Sequence, residues 1–363
     1  MKTLKLFTIT LFFALIASVN VYPQKKILTE AFERAEKEGF SGVVLVAEDG
    51  KILFEKAVGY RSFEKKIPLN SDDIFELASV SKQFTAMLVM MCKEKGLLDF
   101  DDPVDQYLNI PYTDISIRHL LSHTSGLPDY QAIMDKHWDK SKVAGNPDIL
   151  DYLRTYAPPI LFDPGDKYEY SNTGYVLLAS IIEKATGKDF VQVSRDWIFR
   201  PLAMKNTDIR SLEEKAKVKN FAQGHLRDEN EAYINANKFH SSDYTVWLGN
   251  RKGPGRISST VEDLLKWDQA LYRNKLVSKE TLEEAFTPFR LNDGTRSYYG
   301  FGWDLDPKSP FGKMVSHTGS NPGYKTIIVR YIEENKTVII LNNNAHQDMI
   351  KLVEASSLSL YKW

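Results

Sequence analysis

Strand-like segments at both ends of the chain enclose a long stretch with helical patterns. Residues 42–49 and 51–60 have the composition of two strands, joined at Asp49-Gly50, a dipeptide typical of hairpin turns. Four more strand-like segments follow near the C-terminus, at 298–305, 313–319, 326–332 and 336–343. This order predicts an α+β fold. A central antiparallel sheet would be built from the N- and C-terminal segments and flanked by helices, with a mostly helical insertion lobe.

Apolar residues at helical spacing, together with capping residues, predict the helices. They fall at 27–38, 79–95, 115–123, 148–156, 174–186, 190–199, 259–272 and 347–361. Ser259 or Thr260 is the expected cap of the helix that ends near residue 272. Residues 220–256, rich in Asn, Gly, Lys and Asp, are expected to form long surface loops.

The composition indicates a globular protein with a small or neutral partner. With 363 residues and 43% hydrophobic residues, the chain can bury a large core. We expect one catalytic domain, 25–363, with a sheet lobe at about 27–78 and 255–363 and a helical lobe at about 79–254. The 47 basic and 48 acidic residues nearly balance, which argues against nucleic acid or an anionic membrane surface as a partner. A small molecule or a short peptide is expected instead.

The first residues have the layout of a secretory signal. Lys2 and Lys5 precede the apolar run 6–19, which small and polar residues follow. We expect 1–24 to be a signal peptide and the protein to be exported, to the periplasm or beyond. The alternative is an uncleaved anchor, the one case in which membrane contact is expected. The single cysteine, Cys92, excludes an internal disulfide and is expected to be a buried, inert thiol.

A serine followed three residues later by a lysine occurs at Ser79, Ser62 and Ser359. A serine hydroxyl needs a nearby base, and a lysine serves as one only where burial or positive potential disfavours its ammonium form. Ser79 and Lys82 lie in the predicted first turn of an amphipathic helix, where residues three apart share a face. The Ser62 match lies in a polar stretch expected to be a solvated turn. The Ser359 match closes the last helix, where the dipole favours the ammonium.

Two distant segments carry groups that suit the same chemistry. Tyr170, Ser171 and Asn172 follow a Pro-Gly turn and precede a helix expected to begin near Gly174. On that loop a tyrosine can carry a proton and an asparagine can bind a carbonyl. Residues 317–320, His-Thr-Gly-Ser, end a predicted strand and contain a glycine that permits close approach of a ligand.

These three segments, in this order, resemble the serine β-lactamase and penicillin-binding protein superfamily. The resemblance is to the branch of class C β-lactamases, DD-carboxypeptidases and esterases. Neighbouring segments match as well, at 117–130, 162–178, 198–207 and 255–267, so the likeness runs from about residue 40 to 345.

The resemblance implies roles for individual residues. Ser79 would attack an acyl carbonyl, and Lys82 and Tyr170 would share the proton transfers, with the choice of base left open. Backbone N–H groups of Ser79 and Ser320 would form the oxyanion hole. Asn172 would bind the acyl side of the substrate, and Thr318 with His317 would face its leaving side. Gly319 would contribute to substrate binding as well. No metal or cofactor is implied.

His317 stands where class C β-lactamases usually carry lysine, and a neutral imidazole binds a carboxylate less strongly. We therefore expect a DD-carboxypeptidase-like enzyme or an esterase, acting on a D-amino-acid peptide such as a peptidoglycan stem peptide or on an ester. Acylation by β-lactams would be weak. The alternatives are a true β-lactamase and, in another class, a non-catalytic penicillin-binding sensor or scaffold.

Other candidate groups are expected to be structural. His119 and His123 lie four residues apart, but no third ligand accompanies them at matching spacing, so capping and hydrogen bonding are the expected roles. The aromatic residues Tyr130, Trp138, Trp247 and Trp303 are expected to pack in the protein. The motifs of α/β-hydrolases, HExxH zinc proteases and phosphate-binding loops do not occur in the sequence.

Overall fold

The computed structural model describes residues 21–346 and 349–361, with no side-chain description for residues 21–24. Numbered along this part of the chain, the strands are β1 (Gly42–Glu48), β2 (Lys51–Val58), β3 (Tyr60–Ser62), β4 (Ile67–Pro68), β5 (Phe75–Glu76), β6 (Asp208–Ile209), β7 (His225–Arg227), β8 (Tyr233–Asn235), β9 (Ile257–Ser259), β10 (Phe289–Arg290), β11 (Arg296–Ser297), β12 (Asp304–Asp306), β13 (Met314–Asn321), β14 (Tyr324–Tyr331) and β15 (Lys336–Asn342).

The α-helices in the same residues are α1 (Val21–Lys37), α2 (Lys82–Glu94), α3 (Ile117–Leu121), α4 (Tyr130–His137), α5 (Asn146–Tyr156), α6 (Asn172–Thr186), α7 (Phe190–Ser194), α8 (Leu212–Lys217), α9 (Tyr244–Trp247), α10 (Val261–Tyr272), α11 (Lys279–Ala285) and α12 (Met349–Leu360). A 3₁₀ turn, Ala78–Ser81, leads directly into α2, and a π-helical turn, Arg195–Phe199, follows α7.

The main sheet joins the two ends of the chain and confirms the predicted α+β fold. Its strand order is β12-β13-β14-β15-β1-β2, and all pairs are antiparallel. The pair β1–β15 aligns Val44 with Ile340, nearly 300 residues away along the chain. The β1–β2 hairpin turns at Asp49 and Gly50, both with positive φ (51° and 71°), as the dipeptide predicts.

Each face of the sheet packs against helices because side chains alternate along a strand. Val44 and Val46 of β1 point into a small core shared with Leu28 and Phe32 of α1. Val43 and Leu45 point to the other side, into the large core that also contains α2, α6 and α10. The functional segments lie on this second side.

Several predicted boundaries differ from the structure. Of the predicted strand 298–305, only Asp304 and Leu305 belong to a strand, β12, because Gly300 approaches the Ala285 carbonyl too closely for a side chain and Gly302 has φ 78°. Helix α1 begins at Val21 rather than near residue 27. The stretch 220–256, predicted as loops, contains the hairpin β7–β8 and the short helix α9. Helices α4, α8 and α11 were not predicted.

Three other expectations concern the ends of helices and the cysteine. Thr260, rather than Ser259, caps α10, since its side chain accepts a hydrogen bond from the Asp263 N–H. Cys92 is fully buried, and burial raises the pKa of its thiol to about 12, as expected for a buried, inert thiol. Residues 1–20 of the expected signal peptide lie outside the described residues. No helix among the described residues is long and apolar enough to cross a membrane.

Candidate active site

Ser79 lies in the 3₁₀ turn before α2, not inside the first α-helical turn as predicted. The preceding residue, Ala78, has φ 48°, a left-handed conformation that is costly for a residue with a side chain. Neighbouring strands hold the turn, since the Leu77 carbonyl accepts from Thr326 Oγ1 (2.7 Å) and Ser81 Oγ accepts from the Ile257 N–H (3.2 Å). The hydroxyl of a partly exposed Ser79 is thereby presented at a rigid position.

Lys82 is fully buried and contacts three oxygen atoms. Its Nζ lies 3.2 Å from Ser79 Oγ, 2.8 Å from Asn172 Oδ1 and 3.1 Å from the Pro254 carbonyl oxygen. The carbonyl and the amide oxygen only accept hydrogen bonds. A neutral amine has two N–H groups, which satisfy these two acceptors and leave its lone pair facing the Ser79 hydroxyl.

The surroundings of Lys82 favour that neutral form. Burial lowers the pKa of Lys82 well below its usual range, the positive charge of Arg251 lowers it further, and Asp129 opposes both effects weakly. Arg251 is itself buried and donates to the Tyr130 hydroxyl at 2.5 Å. Arg251 was not singled out in the sequence. Its neighbours in the chain, the Gly-Pro-Gly run 253–255, were the available signal of a backbone pressed against the site.

The second predicted segment sits at the start of α6. Asn172 is the first residue of the helix rather than part of the loop, and Ser171 caps it by accepting from the Gly174 N–H (3.3 Å). Because the cap fixes Asn172, its side-chain oxygen can meet Lys82 across the site. Tyr170, just outside the helix, is 39% exposed. The Lys82 Nζ lies 4.7 Å from the centroid of the Tyr170 ring.

The Tyr170 hydroxyl stays protonated at neutral pH. Burial around the hydroxyl raises the pKa of Tyr170 above its usual value, and a hydrogen bond with Ser79 offsets part of the rise. A protonated phenol beside Ser79 is a proton donor, whereas Lys82 has the free lone pair.

His123 contacts the segment that carries Tyr170 and Ser171. Its Nδ1 accepts the backbone N–H of Ser171 at 3.0 Å, and its ring packs against Tyr170 with centroids 4.2 Å apart. Burial lowers the pKa of His123 well below its usual value, so the ring is neutral and its proton lies on Nε2. His123 reaches this position through a left-handed backbone, φ 58°. The expected structural role thus places it in direct contact with Tyr170.

The third predicted segment is the end of β13, which packs directly on the Ser79 turn. A side chain at Gly319 would overlap the Leu77 carbonyl oxygen and Thr326 Oγ1, so only glycine fits. Thr318 and Ser320 are exposed, while His317 and Gly319 are buried, as expected for alternation along a strand. Thr318 and His317 therefore point to opposite faces.

His317 is buried, and both of its ring nitrogens are hydrogen-bonded. Its Nε2 is 2.8 Å from the Tyr299 hydroxyl, and its Nδ1 is 2.6 Å from the Thr318 carbonyl oxygen. A carbonyl only accepts, so Nδ1 carries the proton and Nε2 accepts from Tyr299. Burial lowers the pKa of His317 to about 3. In this arrangement no nitrogen of His317 is free for a substrate.

One edge of β13 is open beside the Ser79 turn. Strand β12 pairs with Met314–Ser316 only, so residues 317–321 have a strand partner on the β14 side alone among the described residues. The exposed Thr318 and Ser320 side chains lie along this edge. An extended substrate can add to such an edge through main-chain hydrogen bonds.

The other two Ser-x-x-Lys matches lack this chemistry. Ser62 is buried on β3 rather than in a solvated turn, because its strand pairs with β4, and its Oγ meets only the backbone N–H of Lys65 (3.4 Å). The Lys65 side chain is exposed. Ser359 is buried and donates to the Ser356 carbonyl (2.6 Å), and Lys362 lies outside the described residues.

The remaining candidates are structural. His119 Nδ1 accepts the Ser116 N–H at 3.2 Å in a capping box at the start of α3. Tyr130, Trp247 and Trp303 are buried, and Trp138 is half-buried against the core. Within the described ranges, no group of three or more His, Cys, Asp or Glu side chains could hold a metal ion.

Known proteins are similar in sequence to most of this chain. The chain matches the family model described as Beta-lactamase over residues 29–356. Penicillin-binding protein 4* of Bacillus subtilis (strain 168) is 42% identical over 325 residues, covering 88% of this chain and 72% of that protein. A D-aminopeptidase of Gluconobacter oxydans (strain 621H) is 25% identical over 336 residues, covering 88% of this chain and 58% of the other.

Solved structures of other proteins have the same fold. An octameric penicillin-binding protein homologue from Pyrococcus abyssi has a TM-score of 0.79 at 28% identity, covering 92% of this chain and 76% of that one. A D-amino acid amidase from Ochrobactrum anthropi SV3, complexed with L-phenylalanine amide, has a TM-score of 0.76 at 25% identity, covering 93% and 97%. The chain belongs to the beta-lactamase family and is a serine hydrolase of that family.

Proposed function

We propose that this enzyme hydrolyses an amide or ester bond of a D-amino-acid substrate through an acyl-enzyme on Ser79. The observation that carries the proposal is the position of Lys82, whose Nζ lies 3.2 Å from Ser79 Oγ while two acceptors occupy its N–H groups. A buried amine held in this way is a base aimed at one hydroxyl.

In the acylation step, Ser79 Oγ attacks the carbonyl carbon and its proton passes to Lys82. The backbone N–H groups of Ser79 and Ser320 are the proposed oxyanion donors, each worth about 3 to 4 kcal/mol in related acyl transfers. When the tetrahedral intermediate collapses, Tyr170 gives its proton to the leaving nitrogen or oxygen, and Lys82 returns a proton to Tyr170. The substrate bond breaks and the ester on Ser79 remains.

Deacylation reverses these proton transfers. Water attacks the ester carbonyl and gives up a proton to the Lys82 and Tyr170 pair, and Ser79 leaves with a proton returned to its oxygen. The acid product and the free enzyme result. Asn172, whose oxygen is held by Lys82, has amide N–H donors for the acyl-side carbonyl of the substrate.

The surroundings of β13 favour amides and esters whose leaving group is uncharged over those whose leaving group carries a free carboxylate. His317 is neutral and both its nitrogens are engaged, so it supplies no ionic partner for a carboxylate. The names of relatives, a D-aminopeptidase and a D-amino acid amidase, point to D-amino-acid amides or peptides. We further propose that residues 1–24 direct export, which would bring the enzyme to peptidoglycan stem peptides.

Intact mass measurements test the nucleophile. Wild-type protein and Ser79→Ala are each incubated with a fluorophosphonate and with a penicillin. We expect the wild type to gain one fluorophosphonate adduct and the variant to gain none. An equal adduct on both proteins would show that Ser79 is not the nucleophile.

A substrate panel then separates the classes of activity. We expect release of p-nitroaniline from D-alanine p-nitroanilide and slow turnover of penicillin. Rapid penicillin turnover would make the enzyme a β-lactamase. A stable penicillin adduct without turnover of any amide or ester would support a sensor.

A further inference from the structure

A cavity of about 320 Å³ is lined in part by the chain segments that carry the candidate active site. Three of its lining residues are close in the chain to residues of the site. Glu76 lies three residues before Ser79, Arg256 follows the Pro254 carbonyl that contacts Lys82, and Asn321 follows Ser320 at the end of β13. The remaining wall comes from β3, α8 and the β7–β8 region.

The charged residues that line the cavity are mostly basic. They comprise one acid, Glu76, and five bases: Arg61, Lys65, Lys215, Lys219 and Arg256. Burial alone would raise the pKa of Glu76, but attraction by Lys215 and Arg256 outweighs it and lowers the pKa to about 2. Its two oxygens are engaged, one at 2.5 Å from Lys215 Nζ and the other at 2.6 Å from Asn321 Nδ2. The single negative charge is therefore neutralised, and the cavity keeps a positive potential.

Arg256 lies at this wall with an unusual backbone conformation and a buried side chain. Its backbone has φ 82°, in the left-handed region that favours glycine, and its side chain is only 3% exposed. The guanidinium donates to the carbonyls of Thr245 (2.5 Å) and Leu248 (2.9 Å). Its Nε has no hydrogen-bond partner among the described protein atoms. Carbonyl oxygens do not neutralise the guanidinium charge, so Arg256 contributes positive potential to this wall.

Lys65 and Lys219 stand at the rim. Both are exposed, and no acidic side chain in the described ranges lies within ion-pair distance of either ammonium. Arg61, in contrast, is held by Asp73 at 2.7 Å. The two lysines are the uncommitted positive charges of the cavity.

We propose that this cavity binds a carboxylate on the acyl-side arm of the substrate. The inference rests on the proposed function, because it takes Ser79 as the point of cleavage. Along β13, Asn321 lies beyond Ser320, on the opposite side from His317 and Thr318. If the leaving group lies toward Thr318, the acyl arm extends past Ser320 and reaches the basic cavity. A peptide with an acidic residue before the cleaved bond has this chemistry.

Two synthetic substrates that differ in one group provide the test. N-glutaryl-D-alanine p-nitroanilide carries a terminal carboxylate on its acyl arm, and its counterpart carries a carboxamide there. We expect wild-type KM to be about tenfold lower for the carboxylate, a preference that shrinks as salt rises from about 50 to about 500 mM. Calorimetric binding of both compounds to Ser79→Ala should show the same preference.

Two variants assign that preference to the rim. The double variant Lys65→Met/Lys219→Met should lose most of it, whereas Lys188→Met, which removes an exposed lysine outside the cavity, should retain it. Neither substitution removes an ion pair. Equal affinity for the two compounds in the wild type, or an unchanged preference in the double variant, would overturn the proposal.

The same experiments distinguish a failure of this proposal from a failure of the proposed function on which it rests. If the fluorophosphonate labels Ser79 but the two arms bind alike, the cavity assignment fails and the nucleophile stands. Free glutarate added to the carboxamide substrate distinguishes an independent anion site. We expect no increase in kcat/KM, and stimulation would show that the cavity binds a separate effector instead of the arm.

Discussion

The imidazole of His123 packs against the phenol ring of Tyr170, with ring centroids 4.2 Å apart, while its Nδ1 accepts the N–H of Ser171 at 3.0 Å. Two contacts from one side chain thus fix the position of the proposed proton donor. His123 touches neither a substrate position nor Ser79, so it is a positioning residue for Tyr170.

We expect His123→Ala to lower kcat by about 10- to 100-fold with little change in KM, because Tyr170 loses its support. Steady-state kinetics with D-alanine p-nitroanilide measure both parameters. The double variant His123→Ala/Tyr170→Phe should be no slower than Tyr170→Phe alone. Multiplied losses in the double variant would show that His123 acts independently of Tyr170.

Tyr170→Phe should separate proton donation from ring packing, since phenylalanine keeps the ring. We expect kcat to fall by about 10²- to 10⁴-fold for an anilide but much less for a p-nitrophenyl ester, whose leaving group needs no proton. Tyr168→Phe, a neighbouring and partly exposed tyrosine, is the control and should retain activity. An equal loss for both substrates would make Tyr170 the acylation base and remove that role from Lys82.

Lys82 couples activity to stability through pH. Its folded-state pKa is lowered, so between that lowered pKa and the unfolded value of about 10.4 the unfolded chain binds a proton that the folded protein does not. The wild type therefore gains up to about 1.4 kcal/mol of stability per pH unit from this group as pH rises toward about 10.4, and loses it as pH falls. Lys82→Met should lack this gain and be inactive.

Urea unfolding at about pH 7 and about pH 9 measures that difference, because other groups contribute equally to both proteins. At neutral pH the variant should be the more stable protein, since it has no amine to neutralise on burial. A parallel pH dependence of the two free energies of unfolding would mean that Lys82 keeps its ordinary pKa.

Gly319→Ala should damage the active site through packing. The added methyl group would overlap the Leu77 carbonyl and Thr326 Oγ1, and relief requires β13 to move off the Ser79 turn. We expect a loss of about 1 to 3 kcal/mol in unfolding free energy, together with a fall in kcat/KM. Gly96→Ala meets no atom within 4 Å and should lose stability through its positive φ alone, with activity intact. Full activity in Gly319→Ala would show that the strand can shift without consequence.

The sequence predicted the sheet and the three active-site segments because each has a local signal. Short runs of Val, Ile and Leu mark β1, β14 and β15, and a Pro-Gly turn followed by a capping serine marks the start of α6. Helix α4 was missed although Asp129 caps it, and the strand predicted at 298–305 was too long, since tertiary packing decides where β12 begins.

The environment of Lys82 could not be predicted in the same way. Arg251 reaches the site from a loop about 170 residues further along the chain, and its effect depends on burial that no local pattern reports. His123 contacts Tyr170 from a left-handed backbone conformation, and nothing in the sequence around a histidine predicts that conformation. The contribution of both residues depends on long-range contacts.

The pairing of β1 with β15 also constrains how the protein is made. The ribosome releases Ser79 and Lys82 early, but the strands that hold their turn, β13 and β14, emerge some 240 residues later. Until then the β1–β2 hairpin has a bare edge, a surface prone to pairing with other chains. The nascent enzyme thus carries its reactive serine and lysine without the geometry that activates them, and gains that geometry only after β13 and β14 have been made.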